Sequence, residues 1–174
     1  DPPAPAFNED DISWADWEVT GMTGLEIWNG FSEFKSHLKS KLRGLFYALN
    51  PERIPDRPFP EALKIWDEKL AAGRKLVGIG SSDAHALPYR MGPFRRIIFP
   101  YEYHFRTINT HLLTPTPLTG EVEADRRLVL EALQRGRAFV GYDLPASTRG
   151  FRFTAQGLDR KAWMGDSLSG QQGV

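Results

Sequence analysis

Leu76-Val77-Gly78-Ile79-Gly80-Ser81-Ser82-Asp83-Ala84-His85 is the stretch on which the reading of this chain turns. The apolar run from Leu76 to Ile79 has the length and composition of a buried strand. Asp83 and His85 follow at the strand end. Two residues apart, they project to the same side. A carboxylate and an imidazole converging there are suitable ligands for a divalent metal. The plainer alternative is that Asp83 caps the next turn and His85 is a surface residue.

The bulk numbers narrow the function classes. With 174 residues the chain can build one compact domain with a real core. Its 22 basic residues balance 22 acidic ones, so no general polyanion-binding surface is indicated and no nucleic-acid partner is expected. There is no cysteine, so any metal must be held by His, Asp or Glu. No apolar run is long enough to span a membrane, and no membrane partner is expected. No signal peptide is visible, and the lack of cysteine fits both a cytoplasmic and a secreted protein, so the compartment stays open. The start at Asp1 and the end at Gly173-Val174 read as those of a piece of a longer protein.

Along the chain, Asp1 to Asn8 is proline-rich and irregular, and Asp10 to Val19 reads as a short helix or turn packed by Trp14 and Trp17. Gly24 to Trp28 reads as a strand closed by the turn signal Asn29-Gly30. Phe31, Phe34, Leu38, Leu42, Leu45 and Leu49 recur at spacings of three and four, which predicts one amphipathic helix over 31–49. The proline-rich stretch 50–60 is a loop. A second helix carries Leu63, Trp66 and Leu70 and ends at Gly73. Strands follow at 75–80 and 95–99, then a long connection over 101–117. A third helix is capped at Thr119 and ended by Gly136, and a strand runs from Ala138 to Gly141. Strands separated by helices argue for an α/β layout with parallel pairing. After Gly150 alternating Phe151 and Phe153 and scattered glycines suggest a β-rich segment.

Glu26 is the second informative residue. Glutamate is disfavoured in the middle of a short apolar strand. With both faces covered it must be paired, protonated or bound to metal; on an edge strand it can sit in water. In barrel-like α/β folds, ligands from different strand ends meet at one mouth.

Three segments carry a resemblance: Gly24-Leu25-Glu26-Ile27-Trp28-Asn29-Gly30, then the helix from Trp66 through Gly73 into the strand and Gly80-Ser81-Ser82-Asp83-Ala84-His85, then Leu128 to Asp143 with its Gly136-Arg137-Ala138-Phe139-Val140 ending. In this order, over roughly 20–142, the chain resembles the C-terminal half of a polymerase and histidinol phosphatase (PHP) domain metallohydrolase. The resemblance implies part of a distorted (β/α) barrel. It assigns residues 1–149 to the C-terminal part of a PHP-like α/β domain and 150–174 to the start of a β-rich extension. It further implies that Glu26, Asp83 and His85 are metal ligands, that the metal is Zn, Mn or Fe, and that the substrate is a small-molecule phosphoester, ester or carbamate.

The family opens with an H-x-H strand and further metal-binding histidines. This chain has only His37, His85, His104 and His111. His37 reads as a boundary residue of its helix. The fragment by itself is therefore expected to hold metal weakly and to be inactive. The runner-up expectation is a non-catalytic PHP-like module for structure or protein interaction. Arg90, His104 and His111 are further candidates to touch substrate or move a proton, each weighed against plain solvent exposure. Arg95 and Arg96 share the first possibility. A half barrel would leave strand edges open, which favours a homo-oligomer. Glu26, Asp83 and His85 are expected to converge on one face.

Overall fold

The computed structural model describes residues 13–157 and 160–168. The proline-rich start, the first residues of the Asp10–Val19 segment and the last glycines lie outside the described residues. The elements mix helix and strand: β1 (Gly24–Asn29), α1 (Gly30–His37), α2 (Lys41–Leu49), α3 (Pro60–Ala71), β2 (Val77–Ser81), β3 (Leu87–Met91), β4 (Phe94–Ile98), α4 (Tyr101–His104), β5 (Ile108–Leu112), α5 (Val122–Gln134), β6 (Ala138–Tyr142), β7 (Thr154–Gln156) and β8 (Lys161–Trp163). Among the described residues the strands form four two-stranded sheets and no closed barrel. Parallel pairing holds for β1 with β2; β3–β4, β5–β6 and β7–β8 are antiparallel.

The helix expected over 31–49 is two helices. The chain breaks at Leu38–Ser40, and the Ser40 hydroxyl accepts from Arg43 N at 3.3 Å to start α2 afresh. Phe34 and Leu38 go into the core, but Leu42, Leu45, Phe46 and Leu49 face solvent. The break rotates the second apolar stripe off the core side. The loop expected over 101–117 holds α4 and β5 instead, because Asn109 and His111 find their partners across β6 and beyond it. Among the described residues the segment before β1 makes only a turn at Trp17–Glu18, and Trp14 is 60% exposed rather than packed. A β3 strand with Pro88 in it pairs with β4 as a hairpin.

α3 begins on Pro60, whose fixed φ suits a first helical turn, and Trp66 Nε1 donates to Leu76 O at 2.9 Å, tying the helix to the start of β2. β2 also meets the antiparallel β5–β6 pair through Gly80. Its N–H donates to Thr110 Oγ1 at 2.9 Å, and the Thr110 hydroxyl donates to Gly80 O at 2.7 Å. One side chain thus satisfies both backbone groups on that edge. The core below is Phe34, Leu38, Ile54 and Phe99, flanked by Phe31, Tyr47, Ile98 and Tyr103. Glu33, 5% exposed, is buried beside it and accepts from Trp28 Nε1 at 2.9 Å, Asp56 N at 2.7 Å and Arg57 N at 3.2 Å. In the C-terminal segment Asp166 pairs with Arg137 at 3.6 Å, and Gly165 sits directly on Arg135 and Arg137. No helix among the described residues is long and apolar enough to cross a membrane.

Candidate functional site

Because β1 and β2 are parallel, their C-terminal ends open on one side, with Asn29 opposite Ser81. Sites in such sheets form just beyond the carboxyl ends of the strands. The register slips between Glu26 and Trp28, a bulge of the kind that re-aims side chains.

Asn29 organises this end. Its Nδ2 donates to Glu26 Oε2 at 3.1 Å and to Asp83 Oδ2 at 3.3 Å, while its Oδ1 accepts from Ser32 N at 2.8 Å and caps α1. The other Glu26 oxygen, Oε1, accepts from the Ser81 hydroxyl at 2.5 Å. Glu26 is exposed on β1, so the edge-strand alternative describes its surroundings, yet both its oxygens are engaged.

Asp83 and His85 are neighbours. His85 Nδ1 lies 2.7 Å from the Asp83 carbonyl oxygen and 3.5 Å from Asp83 Oδ1. A carbonyl only accepts, so Nδ1–H is the donor here. The ring stacks on Phe31 with centroids 4.5 Å apart. The turn holding these groups is strained: Asp83 has φ 51° and Ala86 φ 42°. The left-handed region is tolerated by Asp and costs Ala about 1 kcal/mol or more.

The donor chemistry of Asp83, His85 and Glu26, two carboxylates and an imidazole, suits Zn, Mn or Fe. Asp83 and His85 are adjacent, and Glu26 reaches them through Asn29. Among the described residues no three His, Asp or Glu side chains are arranged around one ion position. A metal here would therefore rest on the Asp83–His85 pair and complete its shell with water or other donors.

His104 lies under the same turn, 3% exposed. Burial lowers its pKa, the charge of His85 lowers it further, and Asp83 and a hydrogen bond with the Ser82 backbone oppose them. Arg90 is not brought here. It is exposed on the β3–β4 hairpin, where its Nε donates to Gly92 O at 3.4 Å.

His111 belongs to a separate network on β5. Its Nε2 meets Asp143 Oδ2 at 2.8 Å and Thr148 Oγ1 at 3.0 Å; Asn109 Nδ2 donates to Asp143 Oδ2 at 2.9 Å. Thr148 donates to Asp143 Oδ1 from its hydroxyl at 2.7 Å and from its N–H at 2.8 Å. Burial pulls the Asp143 carboxyl up, but the Thr148, Asn109 and His111 hydrogen bonds together hold it at about 2. The His111 ring stacks on Phe139 at 4.6 Å. This knot ties the 143–148 loop down onto the β5–β6 pair, which is a structural task.

Sequence reasoning did not single out Asn29, Asp143 or Thr148. Asn29 carried a signal, since an Asn at a strand end before Gly and three residues ahead of Ser32 is a helix cap. Compared with known protein families, with curated proteins and with solved structures, the chain matches none.

Proposed function

We propose that this chain is part of a metal-dependent hydrolase of the PHP type, acting on a small phosphoester, ester or carbamate. The observation that carries the reading is the Asn29 amide joining Glu26 and Asp83 at the common end of two parallel strands, with the His85 ring against Asp83. In this reading the β1–β2 layer with its helices is part of a distorted barrel, and the edge of β1 that is unpaired among the described residues is where another segment or a second copy pairs.

A bound divalent metal supplies an acidified water and a Lewis acid for the scissile P=O or C=O group. The chain's own residues do the rest. Asp83 and His85 hold the ion. Asn29 keeps two carboxylates at hydrogen-bond distance from one amide, so their mutual repulsion is offset in the absence of substrate. Glu26, fixed by Ser81, is placed to accept a proton from a nearby water.

The test is elemental analysis of the purified chain and of Asp83→Ala, with p-nitrophenyl phosphate and p-nitrophenyl acetate as probes. Zn, Mn or Fe retained by the wild type and lost in Asp83→Ala supports the reading. A wild type that takes up none of the three ends it. The hydrogen bonds to both Glu26 oxygens and to Asp83 Oδ2 favour a second reading, a non-catalytic module in which this network only braces the strand ends. That reading requires Asp83→Ala to lose stability with no change in metal content.

A further inference from the structure

The Asp143 knot uses one nitrogen of His111 and leaves the other open. Nε2 meets Asp143 Oδ2 at 2.8 Å and Thr148 Oγ1 at 3.0 Å. The Thr148 hydroxyl gives its one proton to Asp143 Oδ1, and the Asp143 carboxyl, held at about 2, is ionised at neutral pH. Both neighbours of Nε2 therefore accept, so Nε2–H is the donor. In the neutral ring Nδ1 then carries the lone pair. Nδ1 has no partner among the described residues, and it is not buried. The stack on Phe139, at an interplanar angle of 5°, holds the ring against rotation.

His111 lines an open groove of about 570 Å³ together with Phe139, the 112–117 stretch, Arg149, Gly150 and Arg152. That is room for a small molecule. No acidic residue is among those lining it. Two cations reach it from one loop. Phe151 N donates to Thr148 O at 3.1 Å, and Gly150 takes φ 89°, which glycine adopts freely, so the chain turns between Arg149 and Arg152. Thr148 is bonded to Asp143 twice, so the network that fixes His111 also fixes the base of this loop. Arg152 donates to Phe151 O, and neither guanidinium has a carboxylate partner among the described residues. Two such cations on a groove without an acid favour an anion, and the fork of a guanidinium suits phosphate oxygens. Two positive charges match a dianion more closely than a monoanion, which selects phosphate over carboxylate.

We propose that this groove binds the phosphate group of a small molecule, with Arg149 and Arg152 supplying the charge and His111, held from behind by Asp143, meeting the phosphate through Nδ1. One proton then lies between Nδ1 and a phosphate oxygen, whether it arrives on the ring or on the phosphate. Phe139 and the prolines at 115 and 117 offer apolar surface to the rest of the ligand. The proposal is separate from the metal reading above, since it uses neither Asp83 nor His85.

The experiment titrates the full chain with phenyl phosphate, and separately with benzoate, at constant ionic strength. EDTA is present, so that no divalent ion draws the phosphate to Asp83 and His85. Long-range proton–nitrogen correlation NMR follows the His111 ring. The expected result is a saturable shift of the Nδ1 resonance with phenyl phosphate, and weaker binding of benzoate. Arg149→Ala and Arg152→Ala are each expected to weaken phenyl phosphate about 2–5-fold, and the double variant about 10-fold. Both side chains are exposed, and the one bond either makes is Arg152 to its neighbour's carbonyl, so these variants keep the fold. No saturable shift at His111, or wild-type affinity in the double variant, overturns the proposal. Benzoate binding as tightly as phenyl phosphate overturns the choice of phosphate. None of these outcomes bears on whether Asp83 and His85 hold a metal, which the elemental analysis above decides.

Discussion

Asn29 Nδ2 donates to Asp83 Oδ2 at 3.3 Å, joining the end of β1 to the turn after β2 across a sequence separation of 54 residues. The same side chain caps α1 and holds Glu26, so every polar atom it has is committed. This is the contact on which the candidate site depends.

Asn29→Asp tests it. Aspartate keeps the cap on Ser32 N but removes the donor between two carboxylates and adds a third. The variant is expected to lose about 1–3 kcal/mol at neutral pH, with part of the loss recovered as the pH falls toward 4 and the carboxylates protonate. Urea unfolding at both pH values measures it. Equal loss at the two would show that charge at this position is immaterial.

Glu33→Ala leaves the Trp28 indole N–H and the backbone N–H groups of Asp56 and Arg57 without their acceptor in a buried place. The expected cost is about 3 kcal/mol, among the largest for a single polar residue here. Denaturant midpoints give the value, and a cost below about 1 kcal/mol would mean water replaces the carboxylate.

The strand ending in Asp83 and His85 was legible because an apolar run followed by a small polar turn has one simple reading, and β2 runs where it was expected. β1 was legible for the same reason, although Glu26 proved exposed rather than covered. The α1–α2 break was not. A three-and-four spacing continues through Leu38 to Leu42 in sequence, and only the cap at Ser40 reveals that the axis changes. β5 was hidden because Asn109, Thr110 and His111 are polar; each is satisfied by a partner distant in sequence that no local pattern announces. The bridging role of Asn29 was masked because Asn-Gly reads first as a turn.

Gly80→Ala probes the seam between β2 and the β5–β6 pair. A Cβ at Gly80 would overlap Val140 Cγ1 and press on Ile108 Cγ2 at 3.1 Å. The expected loss is about 1–3 kcal/mol. Adding Val140→Ala should cost less in the Gly80→Ala background than in the wild type, since the second change removes the atom that clashes. A double-mutant cycle on unfolding free energies reads the coupling, and strict additivity would place the strain elsewhere.

Strong acid should loosen the Asp143 knot. The carboxyl sits at about 2 in the folded chain against 3.8 for an ordinary aspartate. A depressed folded value means that the ionised form stabilises the fold. That contribution is complete above the ordinary value and is lost as pH falls from about 4 through about 2. Thr148 supplies two of the bonds responsible, and its hydroxyl also contacts His111. Asp143→Asn removes the ionised acceptor while keeping the size, so the variant should be less stable than the wild type at pH 7 by about 1–2 kcal/mol. The gap should narrow steadily between pH 4 and pH 2, where the wild type loses the same interaction. Thermal or urea unfolding across this range provides the comparison. A gap that stays constant with pH would show that the carboxylate charge contributes nothing, and that only the shape of the side chain holds the loop.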